Sequence, residues 1–259
     1  MSWFESWVQV SAPWRLLRAV AAGVAVSLTL SACQKENEAG CFTSTGNIVT
    51  ERRALPPFRI LTTNDNVRVT LVQDSETYAE VRAGKNLQDD IRLDVQDGHL
   101  IIRNTSRCNW VRRYNTPREV TLHTPRLTDI FLRGQADIQT QGSFKADTLF
   151  AHLIGSGDYH LTLDSRYLGM SQYELGDIYL SGTTQELHHT IGGNGSLYAQ
   201  DLILQDLYLQ TNADSNGISH CAPTRLLTGN HAGAGTVYYR GTPEALTLRI
   251  TGKGKLTRE

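Results

Sequence analysis

Past Leu30 the chain has no long apolar run and no capped segment with helical periodicity. The first lack excludes a membrane-spanning helix there, and the second argues against a helical bundle. Charge of one sign is also missing: 25 Lys and Arg stand against 26 Asp and Glu, for a net charge of −1. No basic field draws nucleic acid or an anionic membrane surface, so no nucleic-acid partner is expected. Cysteine is sparse at four residues, too few for a disulfide-dense scaffold. No Ser/His/Asp or Cys/His grouping is legible, so no catalytic residue is assigned. The eight histidines fall at scattered offsets, which is not the convergence a metal site needs. Adjacent His188 and His189 point to opposite faces of a strand. The glycine cluster Gly192-Gly193-Asn194-Gly195 lacks the following helix that a phosphate cradle requires. No cofactor is expected.

The N-terminus is rich where the remainder is poor. Arg15 and Arg18 flank an apolar run from Ala19 to Leu30, too short to span a bilayer and typical of an export signal. Leu30-Ser31-Ala32-Cys33 resembles a bacterial lipobox, in which the thiol is acylated and becomes the first mature residue. Residues 1–32 therefore read as a lipoprotein signal peptide and Cys33 as the lipidation site. Polar Gln34-Lys35-Glu36-Asn37-Glu38 begins a tether assigned to 33–50, ahead of a single domain over 51–259. The charge run also looks like the surface-export tags of Bacteroidota lipoproteins. An exported chain meets an oxidising compartment, so a disulfide is expected, with Cys41 and Cys108 the candidate pair. Cys221 lies inside a repeat and reads as a small buried hydrophobe.

The second half repeats. Asp137-Ile138, Asp158-Tyr159, Asp177-Ile178, Ser196-Leu197, Gly217-Ile218, Thr236-Val237 and Lys255-Leu256 recur every 19 to 21 residues. A fixed period in that range marks a solenoid. With the first residue of each pair as position zero, +1 is always apolar and +2 is polar or amphipathic, as on a strand with one buried face. A glycine-rich corner precedes the zero in six of the seven coils (Gly134, Gly155 and Gly157, Gly176, Gly193 and Gly195, Gly233 and Gly235, Gly252 and Gly254), and a second apolar position returns at Leu149, Leu168, Leu187, Leu207, Leu227 and Leu246. These features predict an all-β fold: a right-handed parallel β-helix with coils of about 20 residues, built from two or three short strands per coil. Residues 57–132 are less regular, with Asp97-Gly98 marking a hairpin, and are expected to form an N-terminal β-layer that caps the open end.

Asp65-Asn66-Val67-Arg68-Val69, then Pro125-Arg126-Leu127 with Ile130-Phe131-Leu132-Arg133-Gly134, then Gly155-Ser156-Gly157-Asp158, together resemble the head GIN domain family. That family is common in Bacteroidota lipoproteins and carries an auto-transporter adhesin label by analogy. The resemblance covers about residues 57–240. It implies a β-helical fold and an envelope location, and it supplies no catalytic residues.

Two columns are candidates for chemistry. Asp137, Asp158 and Asp177 would stack on adjacent coils, where oxygen ligands could hold Ca2+ or, alternatively, cap the corners through the backbone. His160, Tyr179, Tyr198 and, two coils later, Tyr238 would form an outward aromatic strip. It is either a contact surface or a ladder holding neighbouring strands. The leading expectation is a non-enzymatic protein, lipid-anchored in the bacterial outer membrane and facing the periplasm or the cell surface. Its partners would be the membrane, through the anchor, and a surface glycan or envelope protein. The alternatives are a polysaccharide lyase or hydrolase and a purely structural envelope protein.

Overall fold

The computed structural model describes residues 44–106 and 116–259. Cys33, Cys41 and Cys108, with the signal peptide and most of the tether, lie outside the described residues. The strands are β1 (Ile48–Ala54), β2 (Ile60–Thr63), β3 (Arg68–Gln73), β4 (Tyr78–Gly84), β5 (Ile91–Gln96), β6 (His99–Asn104), β7 (Arg118–Thr124), β8 (Asp129–Leu132) and β9 (Ile138–Thr140). They continue as β10 (Phe144–Leu153), β11 (Tyr159–Gln172), β12 (Ile178–Ile191), β13 (Leu197–Thr211), β14 (Ser219–His231), β15 (Thr236–Tyr239), β16 (Ala245–Ile250) and β17 (Lys255–Arg258). β1 starts inside the stretch assigned to the tether and pairs with β4 from Ile48 onward.

Two parallel ladders run the length of the solenoid. One joins β6, β2, β8, β10, β11, β12, β13, β14 and β16, and the other joins β7, β3, β9, β11, β12, β13, β14, β15 and β17. This is a parallel β-helix. Its middle coils differ from the short strands expected. β11 to β14 are each 13 to 15 residues long and pass through both ladders; pairing continues around the bend from β11 to β12 and from β12 to β13, and is interrupted between β13 and β14 from Ala199 to Leu204. Buried Ser165 and Thr184 bond to each other across adjacent rungs, oxygen to oxygen at 2.8 Å, and keep the inside of that bend satisfied.

The predicted core columns are inside. Ile138, Tyr159, Ile178, Leu197 and Val237 form one, and Leu149, Leu168, Leu187, Leu207 and Leu227 the other, each at 2% exposure or less. Leu246, the last member expected, is 41% exposed in the terminal coil. Tyr159 is the one ring in these columns. Its hydroxyl donates to the carbonyls of His152 (3.0 Å) and Ile130 (3.2 Å), and burial pushes the phenol above its ordinary range.

The opposite gly-rich corner sets the close approach of the coils. A methyl group placed on Gly195 would land on the carbonyl oxygen of Gly176, and one on Gly217 would land on that of Gly195. Gly217 therefore belongs to the glycine stack, and the zero residue of its coil is Ile218. Leu197 accordingly pairs with Ser219, and Ser219 with Val237. The apolar +1 rule misplaced this coil by one residue because its true +1 member is Ser219, a polar residue buried to 1% exposure.

The N-terminal end carries the expected cap, and the cap is antiparallel. β5 pairs with β6 through a hairpin in which Asp97 and Gly98 both take positive φ, the torsions a type I′ turn needs. β4 pairs with β7, and β1 with β4. A 3-10 turn at Lys85–Asp90 buries Leu87 over the end of the core. Arg53 donates to the carbonyls of Ile91 (2.7 Å) and Gln88 (2.9 Å), closing backbone groups that an open solenoid would leave to water.

Candidate binding faces

The aromatic strip exists and is longer than the four residues expected. Because the fifth coil is shifted, His220 and not Ser219 is the outward residue beside Tyr198, so no rung is skipped before Tyr238. The rings of His160, Tyr179, Tyr198, His220 and Tyr238 stack in succession at centroid distances of 4.6, 4.7, 5.6 and 4.8 Å. Their planes differ by only 7 to 11°. Parallel strands hold equivalent side chains about 4.8 Å apart, which places one ring directly on the next.

That geometry decides what the strip can do. Each interior ring has both faces against its neighbours, so the ladder turns ring edges, hydroxyls and imidazole nitrogens to solvent. A sugar cannot stack on an interior face. The strip stabilises the pile of coils, as cross-strand aromatic pairs do. Its flank is polar: Thr162 and Ser181 hydroxyls lie 2.8 Å apart beside it, and with Gln200 and Asp201 they border a groove of about 320 Å3. Tyr179 donates to Asp177 at 3.4 Å, and burial, then that carboxylate's charge, raises its phenol above the usual range. Replacing Tyr179 and Tyr198 together with alanine should lower stability by about 2 kcal/mol or more, from lost stacking and burial. The double phenylalanine variant should cost less than about 1 kcal/mol. Urea midpoints measure both, and equal losses would show that the hydroxyls, and not the stacked faces, hold the ladder.

The aspartate column serves the corners. Asp137 accepts the backbone N–H of Asp158 (3.1 Å), Asp158 that of Asp177 (2.8 Å), and Asp177 that of Ser196 (2.7 Å). Ser196 Oγ continues the series by accepting from Ile218 N–H at 3.2 Å. One oxygen of each carboxylate thus ties its coil to the next, the backbone role weighed against Ca2+. Among the described residues, no group of three or more His, Cys, Asp or Glu is arranged to hold a metal ion. Asp177→Ala should cost about 1.5 to 3 kcal/mol by leaving Ser196 N–H without its charged acceptor. Asp177→Asn keeps an acceptor oxygen and should lose less than half of that. Thermal melts of the two variants separate acceptor geometry from charge.

A second outward surface was not among the candidates. On the face that buries the leucine column, the flanking positions point out. One flank reads Phe150, Gly169, His188, Tyr208 along the ladder, and the other reads Tyr167, Glu186 and Asp206, the last of them buried. Phe131 and His152 stack beside them at 4.4 Å. Burial, the largest influence, holds the His152 imidazole below its ordinary pKa, and the neighbouring Asp129 charge opposes it. The charged groups are paired: Arg166 with Asp147 through two 3.0 Å bonds, His188 with Glu186 at 2.5 Å, and Arg225 with Asp206. The signal was available in the sequence. The leucine repeat fixes which residues face inward, so the residue after each leucine had to face outward.

His188 and His189 do point to opposite sides, with His189 buried in the core column between Met170 and Leu209. Cys221 is a free, buried thiol, pushed up to about 12 chiefly by burial.

Comparisons place this architecture. No curated protein matches the chain. Among solved structures, a "putative adhesin" from Bacteroides fragilis NCTC 9343 is similar with a TM-score of 0.74 at 20% identity, over 82% of this chain and 97% of that one. A "putative lipid binding protein" from Parabacteroides distasonis ATCC 8503 gives 0.66 at 20% identity, over 83% and 98%. A "putative adhesin" from Parabacteroides merdae ATCC 43184 gives 0.58 at 18% identity, over 83% and 98%. At such identities these likenesses speak for the fold alone. The family model described as "Putative auto-transporter adhesin, head GIN domain" matches residues 57–243. The chain therefore belongs to the head GIN domain family.

Proposed function

We propose that this protein is a lipid-anchored module of the bacterial outer membrane that acts by binding, without catalysis, through the outer faces of its β-helix. Its partner would be a surface glycan or an envelope protein. The observation that carries this reading is the content of those faces. Aromatic, hydroxyl and amide side chains hold register across five successive coils from His160 to Tyr238, with a second aromatic group on the neighbouring face. A rigid scaffold that repeats its surface chemistry at a constant step suits an extended, repeating partner.

The enzymatic alternative needs two accessible carboxylates facing one bond. Glu186 and Asp206 occupy neighbouring rungs, yet Asp206 is buried beneath Arg225, its side chain 4% exposed. The corner aspartates already hold backbone amides. A groove of about 630 Å3 lined by Pro57, Phe58, Ile60 and Pro125 contains a single carboxylate, Asp97. A shallow groove of about 320 Å3 does hold two carboxylates, Asp147 and Asp164, each in an ion pair, with Arg166 and Lys145 respectively.

Anchoring and binding are tested separately. Cys33→Ala should release the protein from the membrane fraction, and globomycin should cause the unprocessed chain to accumulate. A Cys33→Ala protein that stays membrane-bound and keeps its N-terminal mass would overturn the anchor. Cells displaying the wild-type chain should adhere to glycan-coated or matrix-coated surfaces better than cells lacking it. Equal adherence on every surface, with an envelope defect on deletion, would point to a structural role instead.

A further inference from the structure

We propose that the face built around Phe150, Tyr167, His188 and Tyr208 is a platform on which the pyranose rings of a neutral glycan stack. This rests on the reading of the protein as a binding module and names its ligand class and site.

The two aromatic groups of the solenoid differ in how their rings lie. In the ladder from His160 to Tyr238 neighbouring planes are within 11° of parallel, and the faces are covered. On the second face the tilt grows from coil to coil. It is 24° between Tyr208 and His188, 37° between His188 and Tyr167, and 57° between Tyr167 and Phe150, at 4.2, 5.0 and 5.8 Å. The rings open like a fan toward Phe150. The two wider angles both involve Tyr167, which is out of register with the others: Tyr167 stands beside Thr148, whereas Phe150 stands beside Gly169. Gly169 carries no side chain, and the Cδ1–Cε1 edge of the Phe150 ring leans into the space an added Cβ would fill, at 2.7 and 2.9 Å. Gly169 thus puts no side chain over Phe150, which stands 57° from the Tyr167 ring and is 39% exposed. An outward aromatic face is what the C–H side of a pyranose packs against, with hydroxyls left at the rim for hydrogen bonds.

The rim has such partners and a charge pattern that selects among ligands. His188 is engaged with Glu186, Arg166 with Asp147, and Arg225 with Asp206, so the face offers planar donors and acceptors with no unpaired cation among these groups. Two arginines face three carboxylates. A sulfated, sialylated or phosphorylated polymer would meet net negative charge, whereas a neutral hexose or N-acetylhexosamine chain would not. From Phe150 to Tyr208 the fan spans three rungs, about 14 Å, which is longer than one sugar ring.

The test uses the full chain on an array of neutral hexose and N-acetylhexosamine oligosaccharides beside sialylated and sulfated ones, with cell adherence measured in parallel. Neutral glycans should be retained. Phe150→Ala should weaken that binding by about tenfold or more, and Gly169→Val, which displaces the Phe150 ring without removing it, should do the same. Circular dichroism and urea midpoints check that both variants remain folded. Lys85→Ala, an exposed residue of the cap away from both outer faces, should leave binding unchanged. If Phe150→Ala and Tyr208→Ala both bind like the wild type, or if only acidic glycans bind, the platform is refuted while the binding-module reading stands. Adherence that persists with no glycan bound refutes the platform in the same way. No adherence and no glycan binding would refute both.

Discussion

Gly195→Ala is expected to lower stability by about 3 kcal/mol or more, a large effect for one methyl group. Gly195 does not take a left-handed torsion, so the cause is space and not φ. The added carbon would fall on the carbonyl oxygen of Gly176 and against Gln172 Nε2. Backbone cannot swing aside as a side-chain tip can, so two coils must part. Parting them breaks what closes that corner: Gln172 donates to the carbonyls of Gly176 (2.7 Å) and Ser196 (3.2 Å), and Ser196 N–H to Asp177. Gly142→Ala is the contrast. Gly142 has φ of +76° and open space around the site of its Cβ, so alanine there should cost only about 1 kcal/mol of torsional strain. Urea midpoints of the two variants, measured side by side, test whether rung contact or backbone torsion governs the corner.

His189→Leu is expected to stabilise the protein, and to stabilise it more as the pH falls. His189 is buried in a column of Met170 and Leu209, and neither ring nitrogen has a hydrogen-bond partner. Burial alone holds its pKa down to about 3. The unfolded chain titrates near 6.5, so above that pH both states are neutral and the histidine adds no pH dependence. Between 6.5 and about 3 the unfolded state takes up a proton that the native state excludes, and stability falls as pH falls. The loss is about 1.4 kcal/mol per pH unit, or about 3 kcal/mol by pH 4.5. Leucine removes that slope together with two unsatisfied polar atoms, worth about 1 to 3 kcal/mol at neutral pH. The difference between variant and wild type, followed by denaturation from pH 7.5 to 4.5, should widen toward acid. A constant difference would mean that the imidazole is hydrated or partnered in solution.

Much of this architecture is legible in the chain because solenoids repeat their constraints. The leucines from Leu149 to Leu227 and the glycines of the corner recur at a step that only stacked coils explain. The error at the fifth coil is instructive. Apolar pattern put Ile218 inside, whereas the glycine stack, a harder steric constraint, required Gly217 one place earlier and buried Ser219 in its stead. His220 was overlooked in the strip for the same reason. Ring orientation was not legible at all. Aromatic side chains in register stand face to face, as Tyr179 and Tyr198 do, whereas Phe150 and Tyr167, on opposite flanks of the leucine column, stand tilted. Strand length was also hidden, because a bend that keeps its ladder hydrogen bonds, as in β12, looks in sequence like a break between strands.

The shifted register of the fifth coil tests the stacked architecture most directly, since the ladder, the corner and both outer faces depend on it. A disulfide needs Cα atoms about 4.4 to 6.8 Å apart and side chains on one face. Cysteines replacing Tyr198 and His220 meet that condition, while cysteines replacing Tyr198 and Ser219 do not, because Ser219 points into the core. Peptide mapping by mass spectrometry after mild oxidation should find the cross-link in the first double variant and not in the second. A cross-link formed only in the second would contradict the stack described above.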